Sequence, residues 1–152
     1  MAIGKRIKFF RNRKNLTQKQ LGEQLGFMGR TSDVRMAQYE SEARIPKHNL
    51  VKEMAGILGV NSHALTVPDL DTDIGLMHTL FALEDIHGFH IAKKDGHIFL
   101  CLDSSDTAPT DSIHTMLQTW QQQAEKLENG EISKKEYDEW RYRYPELDTS
   151  QH

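Results

Sequence analysis

Cationic side chains are unevenly distributed along the 152 residues, and they are concentrated in the first part of the chain. Between Met1 and Thr66 there are twelve Lys and Arg residues against five Asp and Glu, a net charge of +7. The remaining residues carry seven bases and seventeen acids, a net charge of −10. A basic part joined to an acidic part is expected when one of them binds a polyanion. A solvated surface with uneven charge is the alternative interpretation.

The other side chains with distinctive chemistry give weaker signals. Cys101 is the only cysteine, which excludes an intrachain disulfide and a cysteine-based zinc site. A hairpin could gather His78, His87, His90 and His97 around a metal, but histidines without a cysteine partner are more often surface residues. We therefore expect no metal and no other cofactor. The sequence also lacks G-x-S-x-G, P-loop and H-E-x-x-H motifs, which argues against an enzyme.

Nothing in the sequence predicts export or insertion into a membrane. The first residues lack the apolar segment of a signal peptide. No apolar run approaches the roughly 20 residues that a membrane span needs. With a single cysteine, the chain also suits a reducing compartment. We expect a cytoplasmic protein without a membrane partner.

Helical periodicity and end signals predict five helices in the first part of the chain. Thr17 and Gln20 form a T-x-x-Q capping box that starts the second helix, and Gly26 is suited to stop it. Between them, Gly22 would let another helix approach closely. The other four helices are predicted at about Ile3–Arg13, Ser32–Glu42, Lys47–Leu58 and Ser62–Leu65.

The segment that opens this second helix, LTQKQLGEQLG at Leu16–Gly26, resembles the phage-repressor (Cro/cI, XRE) helix-turn-helix family. The resemblance covers about Ile3 to Leu65. It continues through Met36–Glu40, Arg44–Pro46 and Leu50–Val60 and closes at Leu65. It implies a mainly α protein whose residues 1–67 form a five-helix, lambda-repressor-like DNA-binding domain. The implied function is transcriptional regulation, as a repressor that binds double-stranded DNA.

A helix-turn-helix is a pair of helices joined by a tight turn, and the later helix of the pair, here the predicted third helix, lies in the major groove. In that groove each base pair shows its own donor and acceptor pattern. The exposed candidates for base contacts are Asp33, Val34, Arg35 and Gln38. Gln38 could bond adenine with two hydrogen bonds, Arg35 could bond guanine, and Val34 could meet a thymine methyl group.

Phosphate contacts are expected from residues around the recognition helix. The resemblance implies that Gln18 contacts a phosphate and that Arg44 and Lys47 lie where backbone contacts occur. Charge and position alone add Arg11 and Lys19. Arg30 is a further candidate in the loop before the third helix.

The chain departs from the family at Phe27–Thr31, where the link before the third helix is about four residues longer than usual. The start of that helix, with Thr31 or Ser32 as N-cap, is therefore open. The roles of Asp33 and Val34 depend on it. The position of Gln38 in the third helix is more certain, because Tyr39-Glu40, which matches the family pattern, follows it directly.

The sequence pattern predicts a small α+β domain at residues 70–145. It predicts a frayed tail at residues 146–152. The order is a helix, a β-hairpin around Asp95-Gly96 and two helices, the last opened by a Ser133/Glu136 capping box. Trp120, Tyr137 and Trp140 are interpreted as core. The predicted bounds are Asp71–Ile86, Phe89–Ala92, His97–Leu102 and Asp111–Glu128, with a polar loop at Ser104–Thr110.

The helix at Asp71–Ile86 carries two apolar stripes. One hairpin and two helices do not easily cover both of them. The second part is therefore expected to pair two subunits on a palindromic operator. The expected homodimer contacts are Ile74, Met77, Leu80 and Phe81. The alternative is the antitoxin of a toxin–antitoxin pair, in which this part binds a toxin. A protein or small-molecule effector is also left open.

Overall fold

The computed structural model describes residues 3–68, 70–103 and 112–147. These residues are mainly helical, with one antiparallel two-stranded hairpin, which confirms the coarse prediction. The chain divides into two compact units. The first unit runs to Leu70 and also includes Tyr142–Leu147, whereas the second unit runs from Asp71 to Arg141.

The first unit contains four α-helices and one shorter turn. They are α1 (Ile3–Arg13), α2 (Gln18–Gln24), α3 (Thr31–Glu40), α4 (His48–Leu58) and a 3₁₀ turn at Ser62–Ala64. The turn stands where the sequence predicts a fifth helix. The Asn61 side chain accepts a hydrogen bond from the His63 amide and starts this element, which is a short 3₁₀ helix of three residues and not an α-helix.

Apolar side chains from all four helices form one core in the first unit. Helices α1, α3 and α4 each place buried residues at helical spacing, and α2 contributes Leu21. The buried set is Ile3, Ile7, Phe10, Leu21, Phe27, Met36, Tyr39, Val51, Met54, Ala55, Leu58 and Leu65. This core fixes the mutual positions of the helices.

Tyr142 joins this core from the far end of the sequence. Its ring makes edge-on contacts with Phe10 at 4.9 Å and Phe9 at 6.0 Å between centroids. Its carbonyl oxygen accepts a hydrogen bond of 2.8 Å from the Asn61 amide. Tyr142 falls in the predicted domain at residues 70–145, whereas the structure places it in the first unit.

The second unit has a different composition of elements. It contains α5 (Asp73–His87), β1 (His90–Lys94), β2 (His97–Cys101) and α6 (Ser112–Glu128), and α7 (Lys134–Arg143) begins in it. Strand β1 starts one residue later than predicted and runs two residues further. The reason is that the turn is confined to two residues, both with positive φ.

Those two turn residues are Asp95, with φ of 51°, and Gly96, with φ of 81°. The predicted Asp-Gly hairpin is therefore confirmed, since two consecutive positive φ angles match the twist of the flanking strands. The Ser133/Glu136 capping box is also confirmed. The Ser133 amide donates to the Glu136 carboxylate at 2.8 Å, and the Glu136 amide donates to Ser133 Oγ at 3.2 Å.

Few apolar side chains are buried in the second unit. Among its described residues, Phe89, Tyr137 and Trp140 are the buried apolar side chains. Trp120, which was predicted to be core, is 49% exposed, although its indole N–H donates to the Tyr137 hydroxyl at 2.8 Å. The prediction was wrong for Trp120, because α6 is covered on only part of its surface.

Some predictions fall on residues outside those that the structure describes. They are the polar loop Ser104–Thr110, the helix start at Asp111 and residues 148–152 of the tail. Across the described ranges, no helix is long and apolar enough to cross a membrane. In the same ranges, no group of three or more His, Cys, Asp and Glu residues could hold a metal ion.

Candidate nucleic-acid interface

Helices α2 and α3 pack directly against each other at Gly22. A Cβ atom at this position would lie 2.5 Å from the backbone oxygen of Ser32, so any larger residue would collide with α3. The predicted close approach is confirmed. The chain leaves α2 through Gly26, whose φ of 78° lies in the region that favours glycine. The glycines thus hold α3 at a fixed position beside α2.

Helix α3 begins at Thr31, one residue earlier than the sequence predicts. The N-cap position belongs to Arg30, which makes no side-chain capping hydrogen bond, so the predicted Thr31 or Ser32 cap was wrong. Thr31 Oγ1 instead donates to the Met28 carbonyl at 2.7 Å, and Ser32 Oγ donates to the Gly29 carbonyl at 3.0 Å. The longer link supplies these carbonyls and draws both hydroxyl groups away from the helix end.

The outward face of α3 carries three of the four predicted base-contacting side chains. Asp33, Val34 and Gln38 are exposed, and Val34 retains 53% of its accessible surface. Asp33 lies in the first turn, where the helix dipole favours a carboxylate, and its Oδ1 accepts from the Val34 amide at 2.9 Å. A polar, exposed helix face of this kind can meet base edges.

An open depression of about 560 Å³ lies between α2 and the start of α3. It brings together Lys19 of α2, Arg30 of the link, and Asp33 and Val34 of α3. Glu23 also lines it, 3.8 Å from Lys19 in an exposed ion pair. Exposed pairs of this kind contribute little stability, so Lys19 remains available for an anionic partner.

Arg35, the fourth predicted base-contacting residue, is half-buried and stacked on the loop. Its guanidinium carbon lies 3.9 Å from the centroid of the Phe27 ring. Phe27 is itself buried, 6.4 Å from the Tyr39 ring. Stacking restricts the guanidinium plane, and Nε is buried without a hydrogen-bond partner among the described residues, so the donors left for a ligand are those of Nη1 and Nη2. Phe27 is not among the site residues predicted from the sequence, although an aromatic residue in a short Gly-containing loop was the available signal.

Arg11 does not fit the phosphate contact expected of it. Its side chain is buried, and two of its nitrogens donate to the Glu40 carboxylate at 2.5 and 3.0 Å. A third nitrogen donates to the Leu16 carbonyl at 2.7 Å. A guanidinium held by three internal hydrogen bonds is a structural group that ties α1 to the end of α3.

Gln18 belongs to the same network. Its Nε2 donates to Glu40 Oε2 at 2.9 Å, and Gln18 is only half-buried. A side-chain amide nitrogen carries two protons. The contact with Glu40 therefore orients Gln18 and leaves one proton for a phosphate oxygen.

Arg44 and Lys47 lie in the exposed connection between α3 and α4. The Arg44 amide donates to the Gln38 carbonyl at 3.1 Å, which closes the end of α3. Lys47 is the N-cap residue of α4, in extended conformation and without a side-chain cap. The amide groups at a helix start lack intrahelical partners and can donate to an anion. The Lys47 ammonium beside them adds a positive charge that favours the same anion.

The predicted homodimer contacts lie in α5 of the second unit. Ile74, Met77 and Phe81 are exposed, whereas Leu80 is half-buried. No residue of α5 is buried. The helix therefore presents an apolar stripe to the solvent, and Leu80 lies toward its more covered side.

Comparison of the chain with protein-family models, with curated proteins and with solved structures finds no match in any of the three. What the interface binds must therefore be inferred from its own geometry and charge.

Proposed function

We propose that the protein is a sequence-specific DNA-binding transcriptional regulator, acting as a repressor, whose residues 1–67 form a lambda-repressor-like helix-turn-helix domain. The observation that carries the proposal is the α2–α3 pair. Helix α3 is locked against α2 at Gly22 and presents exposed Asp33, Val34 and Gln38. One α-helix fits the major groove, and such side chains read base edges there.

Base reading is assigned to α3. Gln38 is suited to adenine and Val34 to a thymine methyl group, while Asp33 can accept from the amino group of cytosine. The stacked Arg35 offers the edge of its guanidinium to guanine. Phe27 acts through Arg35, as the residue that holds this guanidinium in place.

Phosphate binding is assigned to five side chains around α3. The residues are Gln18, Lys19, Arg30, Arg44 and Lys47. Their support is position and the net charge of +7 between Met1 and Thr66, together with the exposure of the four cationic side chains; Gln18 is half-buried. Arg11 is left out of this set, because its guanidinium is committed to Glu40 and Leu16. Contacts of this kind make binding fall steeply with salt, since each releases counterions from DNA.

Two-fold pairing of the second unit completes the proposal. Exposed apolar residues of α5, among them Ile74, Met77 and Phe81, support an interface between subunits. A dimer would place two copies of α3 on half-sites about one helical turn of DNA apart, which suits a palindromic operator.

The same exposed apolar surface also favours the antitoxin alternative, in which the second unit binds a toxin. Analytical ultracentrifugation separates the two candidates. The regulator is expected to be a folded homodimer by itself, whereas an antitoxin of this type is expected to be monomeric, or disordered in its second unit, until the toxin is added.

Selection of bound sites from random duplex DNA by the full chain tests the proposal. We expect a palindromic consensus, and Gln38→Ala should weaken binding by about 1–3 kcal/mol and relax one position of each half-site. Gln24→Ala changes an exposed glutamine of α2 outside these contacts and is the matched control. Binding that does not depend on salt, or an unchanged consensus with Gln38→Ala, would contradict the proposal.

A further inference from the structure

The two strands of the hairpin differ in how well their outer edges are protected. Within the described ranges the sheet has two strands only, so each strand has one edge without a neighbouring strand. Strand β1 carries Lys93 and Lys94, and lysine on an edge strand discourages pairing with another chain. Strand β2, with sequence HIFLC, contains no Lys, Arg, Asp or Glu. The edge of β2 is therefore open to a further strand.

Both faces of β2 are apolar and exposed. The register places Ile98 and Leu100 on one face and Phe99, opposite Ala92, on the other. Ile98 is 73% exposed, Phe99 47% and Leu100 45%. A two-stranded ribbon is marginally stable by itself, and further strands or packed elements are what stabilise it.

The hairpin turn determines which backbone groups of β2 point outward. A two-residue turn at Asp95 and Gly96 makes Lys94 and His97 a hydrogen-bonded pair. Because hydrogen-bonded and non-hydrogen-bonded pairs alternate, the amide and carbonyl groups of Ile98 and Leu100 point away from β1. These groups can form a second ladder.

We propose that β2 pairs antiparallel with β2 of a second copy of this chain, about a two-fold axis at Phe99. Ile98 then lies opposite Leu100 of the second copy, and Phe99 lies opposite Phe99. The outward groups of Ile98 and Leu100 form four hydrogen bonds with their counterparts. The product is a four-stranded sheet in the order β1, β2, β2, β1.

The sequence of β2 favours its own copy over an unrelated partner. About the Phe99 axis, Ile98 lies opposite Leu100 and His97 opposite Cys101, so no like charges are opposed. Strand β1 forms both outer edges of the new sheet. Its lysines then stop further strand addition, so the assembly closes at two copies.

The second unit also exposes enough apolar surface for such an assembly. Taking about 180 Å² for a fully exposed large side chain, nine partly exposed residues present on the order of 850 Å². A stable interface buries about 800 Å² on each partner. The nine residues are Ile74, Leu76, Met77, Phe81, Ile91, Ile98, Phe99, Leu100 and Trp120.

Disulfide cross-linking tests the register directly. In a Cys101→Ser background, Phe99→Cys places two thiols at a non-hydrogen-bonded pair, about 4.5 Å apart between Cα atoms, which suits a disulfide. Diamide, as the added oxidant, should convert this variant to a covalent dimer. Ile91→Cys in the same background lies on β1 and is the control. Absence of the Phe99 dimer, or equal cross-linking of both variants, would overturn the proposal.

Sedimentation of a matched pair of variants tests the affinity. Ile98 and Ile86 are both 73% exposed, so a lysine at either position should not disturb the fold of a single chain. Ile98→Lys should weaken self-association at least about 100-fold, because it is present twice in the interface. Ile86→Lys should leave it nearly unchanged. A monomeric unmodified chain, or equal effects of the two variants, would refute strand pairing.

This inference deepens the self-association in the proposed function, and its tests use no DNA. If the Phe99→Cys variant cross-links but the chain selects no DNA consensus, the strand pairing is retained and the regulator is rejected. If the chain selects a consensus but the variant does not cross-link, the regulator is retained and the strand pairing is rejected.

Discussion

The two units of the chain bury their apolar side chains to very different extents. In the first unit, twelve buried apolar side chains between Ile3 and Leu65 form one core. In the second unit, the described buried apolar residues are Phe89, Tyr137 and Trp140. Its helix α5 has no buried residue, although it is rich in Leu, Ile, Met and Phe.

The difference indicates where each unit obtains its stability. A shared core provides the apolar burial on which an independent fold depends, so the first unit is expected to be stable as a single copy. A unit whose apolar side chains remain exposed obtains comparable burial only from a partner. The first unit thus has a core of its own, whereas α5 of the second unit keeps its apolar side chains exposed.

The largest expected effect is the loss of a core aromatic residue. Phe10→Ala should destabilise the first unit by about 3–5 kcal/mol, because it removes a fully buried ring and leaves a cavity. Phe81→Ala, in the exposed stripe of α5, should change single-copy stability by less than about 1 kcal/mol. Urea denaturation at low protein concentration measures both. Similar losses for the two variants would remove the distinction between the units.

The buried ion pair of the first unit comes next. Glu40→Ala should cost about 3 kcal/mol, because it leaves the Arg11 guanidinium buried without its carboxylate. Lys19→Ala breaks the exposed pair with Glu23 and should cost less than about 1 kcal/mol. Thermal unfolding of the two variants compares them. A small loss for Glu40→Ala would mean that water reaches Arg11.

Tyr142 tests where the first unit ends. Tyr142→Ala should destabilise the first unit by about 1–2 kcal/mol, since its ring packs edge-on against Phe9 and Phe10. Hydrogen exchange of the α1 amides should increase in this variant. If only amides of α6 and α7 respond, Tyr142 belongs with the second unit, as the sequence suggested.

Acid sensitivity of α7 is the smallest expected effect. Burial raises the pKa of Asp138, but hydrogen bonds and charges from Lys134 and Arg141 outweigh it, so the pKa is lowered overall. The backbone amide and the hydroxyl group of Ser133 likewise lower the pKa of Glu136. Because both pKa values lie below their unfolded values, this stabilisation is present above about pH 4 and is lost as the pH falls further.

Circular dichroism between pH 6 and pH 2 follows this loss. Asp138→Asn should reduce the change in stability on acidification, whereas Glu139→Gln, an exposed position on the same helix, should retain it. Identical acid profiles for Asp138→Asn and the unmodified chain would show that Lys134 and Arg141 do not stabilise the folded state through Asp138.

Local signals in the sequence were enough to determine most helices and the hairpin. The Thr17/Gln20 and Ser133/Glu136 capping boxes and the Asp95-Gly96 turn all form as predicted. Each involves residues at most three positions apart, so their hydrogen bonds and φ angles depend little on the rest of the chain. Gly22 was also identified correctly, because only a small residue permits a close helix approach.

Tertiary structure alone decided the roles of residues whose partners are distant in sequence. The sequence marks Arg11 as a surface cation, yet Glu40, 29 positions away, makes it an internal one. Phe27 acquires its importance from Arg35 and Tyr39, and Tyr142 from the aromatic residues of α1. Periodicity reports which face of a helix is apolar, but not which apolar faces find partners within one chain. That is why the sequence could predict a surplus apolar stripe on α5, while the fold alone showed that Ile74, Met77 and Phe81 are exposed and Leu80 is half-buried.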